Sequence, residues 1–154
     1  MSLSIVEKKI LDSIHVASEN DPMRLEFPAD CPKFPATPTV QISVPDFSNV
    51  WLKDESKNPT GTHKDRMAWE IVVTYREFLL AKERGQNNTP LPAMSIISSG
   101  SAAFAIQTQL RKYGLPNLKV LIDRSLNEGI RNELEKINCE MYETDLAKAP
   151  LQFR

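Results

Sequence analysis

The sequence has 154 residues, 41% hydrophobic and 25% charged, the composition of an ordinary soluble chain long enough for one core. A formal net charge of −1 excludes an electrostatic case for nucleic acid or an anionic membrane as partner. No run approaches membrane-spanning length, the N-terminus lacks a signal-peptide apolar core, and Cys31 and Cys139 lie far apart without metal-ligand spacing, so the expected setting is the reducing cytoplasm.

In chain order, Leu3–His15 places Val6, Ile10, Leu11 and Ile14 at helical spacing, which predicts a short amphipathic helix packed on this domain or on a partner. His15 reads as structural. Residues 20–45 hold Pro22, Pro28, Pro32, Pro35, Pro38 and Pro45, a density that prevents a long helix and predicts an extended segment wrapping a surface. Residues 1–45 thus form a helix and an extended lead-in. Val50–Asp54 is a predicted strand, followed by a turn and a helix from about Lys64 to Arg84 whose apolar stripe includes Ala68, Ile71, Val72, Tyr75 and Leu79. Gly85 ends that helix. Beyond the polar loop Gln86–Pro92 come a strand at Ala93–Ile97, a helix at Ala102–Tyr113 and a strand at Leu118–Ile122. A helix at Asn127–Asn138 and a strand at Cys139–Glu143 follow. Strands alternating with helices of this length predict an α/β domain over residues 46–145: a three-layer parallel sheet with flanking helices, preceded by the proline-rich segment. Residues 146–154 read as a tail cut short.

Two stretches carry chemistry. Asn58-Pro59-Thr60-Gly61 is a turn, because proline fixes φ and glycine permits positive φ, and Thr62 follows as the expected helix N-cap. Lys64 therefore stands in the first turn of a helix. The positive end of the helix dipole disfavours a cation there, and burial, if the site is buried, would act in the same direction, which is the setting of a lysine that adds to an aldehyde. The second stretch, Ile96-Ile97-Ser98-Ser99-Gly100-Ser101-Ala102-Ala103, is a strand, a tight turn of small residues and a helix start. Unpaired N–H groups at a helix N-terminus attract anions, and small residues let a ligand approach the backbone. Ser98, Ser99, Gly100, Ser101 and Ala102 are the candidate binding residues. Gly100→Val is expected to block that approach with a modest effect on folding.

The string NPTGTHKDR together with the SSGS turn resembles the fold-type II pyridoxal-phosphate enzymes, whose members include threonine synthase, cysteine synthase and the tryptophan synthase β-chain. The match runs from about Pro38 to Asp145, with Pro38-Thr39-Val40-Gln41-Ile42 resembling the segment before the family's first strand. The resemblance implies that Lys64 holds pyridoxal 5′-phosphate as a Schiff base and that the loop from Ser98 to Ala102 cradles the carboxylate of a small amino-acid substrate. Ser101 stands where many members carry an asparagine that contacts the cofactor's 3′ oxygen. His63 matches a histidine that lies by the phosphate in the tryptophan synthase β-type branch. Ser101 and His63 are accordingly the further cofactor-binding candidates, while Asp65-Arg66 resembles the threonine and cysteine synthase branch. The implied reaction is β- or γ-elimination or replacement on a serine-, homoserine- or phosphohomoserine-like substrate.

One departure is large. The family's members are much longer, and their glycine-rich phosphate loop and pyridine-nitrogen partner come from the second half, whereas this sequence has no glycine after Gly129. The expectation is therefore an N-terminal portion, inactive alone, with a complementary C-terminal half or a homo-oligomer as partner. The alternative is a non-catalytic fragment serving as a binding module.

Overall fold

The computed structural model describes residues 3–14 and 37–146. The prolines from Pro22 to Pro35, His15, Cys31 and residues 147–154 lie outside the described residues.

Helix α1 (Ile5–Ser13) starts where Ser4 and Glu7 satisfy one another's backbone N–H groups, at 3.2 and 2.9 Å, a reciprocal capping box. Of the two partners expected for this helix, its own domain is the one it meets. Ile10, Leu11 and Ile14 are buried in the shared core, and Lys82 and Glu83 of helix α2 (Lys64–Glu83) bind Glu7 and Lys8 at 2.6 and 2.9 Å.

Strands β1 (Thr39–Val44) and β2 (Phe47–Lys53) form an antiparallel hairpin, with Val40 opposite Leu52 and Ile42 opposite Val50. The extended lead-in was expected to reach to about residue 45, with residues 38–42 preceding the first strand, and from Thr39 onward it is itself a strand. The period-two alternation of Val40, Ile42 and Val44 with Thr39, Gln41 and Ser43 is the physical reason, masked in the sequence by the prolines on either side. Val40, Ile42, Phe47 and Leu52 leave this hairpin with substantial exposed apolar surface.

The α/β unit follows as expected. Strands β3 (Ser95–Ile97), β4 (Lys119–Asp123) and β5 (Glu140–Thr144) form a parallel sheet in the order β3-β4-β5, flanked by helices. Helix α3 (Ser101–Tyr113) connects β3 to β4, and helix α4 (Glu128–Lys136) connects β4 to β5. One sheet face joins the core through Val120 and Ile122, with Ile96 and Met141 packed beside them. Trp69, Val72, Tyr75 and Leu79 of α2 and Ile106 and Leu110 of α3 complete it. No helix among the described residues is long and apolar enough to cross a membrane.

Gln107 is the polar joint of this core. It is fully buried, its Oε1 accepts from the Leu118 N–H at 2.7 Å, and its Nε2 donates to Asn117 Oδ1 at 2.9 Å and to the Ile137 carbonyl at 3.1 Å. One amide thus ties α3 to the start of β4 and to the end of α4. Gln107→Leu keeps the volume but strands the Leu118 N–H and the Ile137 carbonyl, an expected loss of about 2–4 kcal/mol in urea unfolding. A loss below about 0.5 kcal/mol, the level of an ordinary surface change, would show the amide to be dispensable.

Candidate active site

The lysine loop is held in shape by its own motif. Gly61 takes φ +74 and donates its N–H to the Asn58 carbonyl at 2.8 Å, closing the turn the sequence predicts. Asn58 is buried, and its Nδ2 donates to Glu55 Oε2 at 2.6 Å and to the Thr62 carbonyl at 3.1 Å. From the helix side, the fully buried Asp65 accepts from both the backbone N–H and the hydroxyl of Thr60, at 2.9 and 2.7 Å. A carboxylate is also favoured in the first turn by the helix dipole. Arg66 Nε bonds Glu55 at 3.2 Å. Asn58, Asp65 and Arg66 therefore build the loop that precedes Lys64. The sequence carried this signal in the spacing of Asn58 and Asp65 about the turn, but not which atoms would meet.

Glu55 joins these pieces. The Thr37 hydroxyl, donating at 2.7 Å, holds its carboxyl well below its ordinary value of 4.5, at about 2, assisted by Asn58 and Arg66. A depressed folded value means that the contribution is fully present above about 4.5 and lost as the pH falls towards 2. Glu7, bonded to Lys82, behaves the same way. Thermal stability should accordingly fall between these pH values, and Glu55→Gln should lower stability at neutral pH while making that acid decline shallower. An unchanged acid profile in the variant would remove Glu55 from the account.

Lys64 is the first residue of α2 and is half-buried. The N-cap position falls on His63 rather than Thr62, although the Thr62 hydroxyl still accepts the Lys64 N–H at 3.3 Å. His63 is exposed and gives no side-chain cap. The Lys64 side chain makes no ion pair or hydrogen bond with any described residue, whereas Lys8, Lys53, Lys57, Lys82 and Lys136 are all ion-paired. A half-buried amine without a partner among the described residues contributes little to their packing.

The serine loop differs in detail from its expected use. Ser98 Oγ accepts the N–H groups of Gly100 and Ala103 at 3.1 and 3.3 Å, so it caps α3 from within and occupies two donors otherwise offered to a ligand. The N–H groups of Ser99, Ser101 and Ala102 have no partner among the described residues. Gly100 is buried at φ +135, and a Cβ built on it would stand 2.7 Å from Ile130 Cγ2.

The two stretches meet. Thr60 and Thr62 of the lysine loop, Gly100 and Ser101 of the serine loop, and Ile130 and Leu134 of α4 line one cleft of about 500 Å³. Ser98 and Ser99 instead face a second cleft of about 470 Å³ with Asp123 and Ser125, at the carboxyl ends of β3 and β4, where open α/β sheets place ligands. Lys64 and His63 line neither. Sequence reasoning missed the α4 wall of the first cleft, because only the crossover from β4 brings Ile130 over Gly100. The Asn127 cap of α4, whose Oδ1 accepts the Gly129 N–H at 2.8 Å, was the available hint of a second strand–loop–helix junction.

No family model matches the sequence, and no curated protein matches it. Solved structures do. An O-ureido-L-serine synthase superposes with a TM-score of 0.58 at 19% identity, covering 92% of this chain and 37% of that one. A cysteine synthase from Entamoeba histolytica gives 0.58 at 18%, covering 88% and 39%. An O-acetylserine-dependent cystathionine β-synthase from Helicobacter pylori gives 0.56 at 14%, covering 96% and 40%. The chain thus spans about two-fifths of the length of these structures, and at such identities the likeness is one of fold. The chain has the fold that the motif at Lys64 points to, that of the fold-type II enzymes to which cysteine synthase belongs.

Proposed function

We propose that this chain is the lysine-bearing part of a pyridoxal-phosphate-dependent lyase or synthase, acting by β- or γ-elimination or replacement on a small amino acid. The observation that carries this reading is the convergence of the lysine loop and the serine loop on one cleft. The residues fit the cofactor: Lys64 has a half-buried amine with no competing partner among the described residues, and backbone donors remain there at the start of α3. Lys64 would hold it covalently, with His63 and Ser101 as the further contacts that the resemblance assigns. When bound, the cofactor supplies an electron-poor ring that stabilises negative charge at the substrate's α carbon.

The chain's own residues do the rest. The N–H groups of Ser101 and Ala102 hold the substrate carboxylate at the positive end of α3. Once the substrate's own amino group has displaced it from the cofactor, the freed Lys64 amine would take the proton from the α carbon and return one later in the cycle. The Thr60 side chain is directed by Asp65, so that hydroxyl is committed to shaping the cleft and not to transferring a proton. The names of the similar structures, which refer to O-ureidoserine, O-acetylserine and cysteine, favour a β-substituted serine as the substrate class. Because the chain spans about two-fifths of those structures, the activity is proposed for the assembly it belongs to, with a second copy or a complementary chain as partner.

A second reading, a non-catalytic binding module, is favoured by the exposed apolar side chains of the β1–β2 hairpin. One experiment separates the two. The full 154-residue chain is incubated with pyridoxal phosphate and reduced with borohydride, and the labelled peptide is then mapped. Label concentrated on Lys64 supports the first reading. Label scattered in proportion to lysine exposure would leave only the second.

A further inference from the structure

The first cleft has two unlike walls. One is built from the small and polar residues Thr60, Thr62, Gly100 and Ser101. The other is apolar: Phe104 from α3 with Ile130 and Leu134 from α4. Leu134 is fully buried and belongs to the core, but Ile130 is 39% exposed, although it stands directly over Gly100. A ligand whose carboxylate takes the free N–H groups after Gly100 must pass its substituent beside Ile130. No lysine or arginine lines this cleft among the described residues, and the carboxylate at its rim, Glu133, is ion-paired to Lys136 at 2.6 Å. An anionic substituent therefore finds no counter-charge here, whereas a neutral apolar one finds a matching wall.

We propose that Phe104 and Ile130, backed by Leu134, form a side-chain subsite selecting an amino acid with a neutral, apolar substituent, and that Ile130 sets the length of substituent admitted. This rests on the functional reading above, and it narrows that reading, because it disfavours a phosphorylated substrate.

The test is equilibrium binding to the full chain by ligand-observed NMR, with a graded series of L-alanine, L-2-aminobutyrate, L-norvaline and L-norleucine, and with L-serine and L-phosphoserine alongside. Affinity should rise about fourfold per added methylene until the subsite is full and then stop rising. Phosphoserine should bind more weakly than serine. Ile130→Ala, a change at a partly exposed residue, should move the optimum to a longer side chain, and Ile130→Val should move it by less. If serine binds but the series is flat, or the optimum stays in place in Ile130→Ala, or phosphoserine binds better than serine, the subsite is wrong and the functional reading stands. If no amino acid binds at all, with or without pyridoxal phosphate, both fall together.

Discussion

Lys64→Ala should abolish the borohydride-trapped pyridoxyl label on the first turn of α2 while leaving the stability of the chain almost unchanged. The two halves of this result have one cause. Lys64 is half-buried and its side chain makes no bond to any described residue, so deleting it should shift unfolding by no more than about 0.5 kcal/mol. On the proposed function the amine serves covalent chemistry and proton transfer, and both would be lost at once. In whatever assembly turns an amino acid over, the rate should fall by several orders of magnitude, with the effect concentrated in kcat. Lys82 is the control. Its side chain is largely buried and bonds Glu7 at 2.6 Å, so Lys82→Ala should lower stability measurably and leave the label on Lys64 untouched. Peptide mapping and urea unfolding on the same three proteins decide the matter. A Lys64→Ala protein that keeps the label, or one that unfolds as readily as Lys82→Ala, would contradict the assignment.

Gly100→Val should be destabilising as well as obstructive, contrary to what the sequence alone leads one to expect. At φ +135 any side chain is strained, by about 1–3 kcal/mol, and the new Cβ would meet Ile130 Cγ2 at 2.7 Å. Two terms therefore add, and they can be separated. Gly100→Ala in the Ile130→Ala background removes the clash and keeps the backbone strain. The double variant should recover part, and only part, of the loss seen in Gly100→Ala measured against its own parent. Full recovery would mean that φ is easily relaxed, and no recovery would mean that Ile130 does not bear on the loop. Urea unfolding of the four proteins in the cycle provides the coupling energy directly.

The helix positions and the strands β3, β4 and β5 were legible from apolar periodicity and from the glycines that end helices, because these are local properties of the chain, and their alternation pointed to a parallel sheet. Boundaries moved by one or two residues, and by three at the start of β2, as element ends do. The hairpin was not legible, since a strand pairing depends on which segment lies alongside, and the prolines around Thr39–Val44 concealed its alternation. Lys64 was legible in a different way, through a turn, a cap and a helix start in immediate succession.

The division has a physical basis. A glycine turn, a lysine in a first helical turn and a small-residue loop after a strand are written in consecutive residues, so the sequence by itself determined which residues the proposed chemistry would use. What each atom does was decided in three dimensions. Ser98 turned inward because a hydroxyl five residues before the Ala103 N–H happens to reach it, and Asp65 was assigned to Thr60 because the turn brings that residue's N–H and hydroxyl within bonding distance of the buried carboxylate. The apolar wall that faces the serine loop comes from α4, some thirty residues downstream of Gly100. Only the crossover of the chain from β4 back to β5 sets Ile130 over that glycine, and no local pattern encodes a contact between residues that tertiary packing alone brings together.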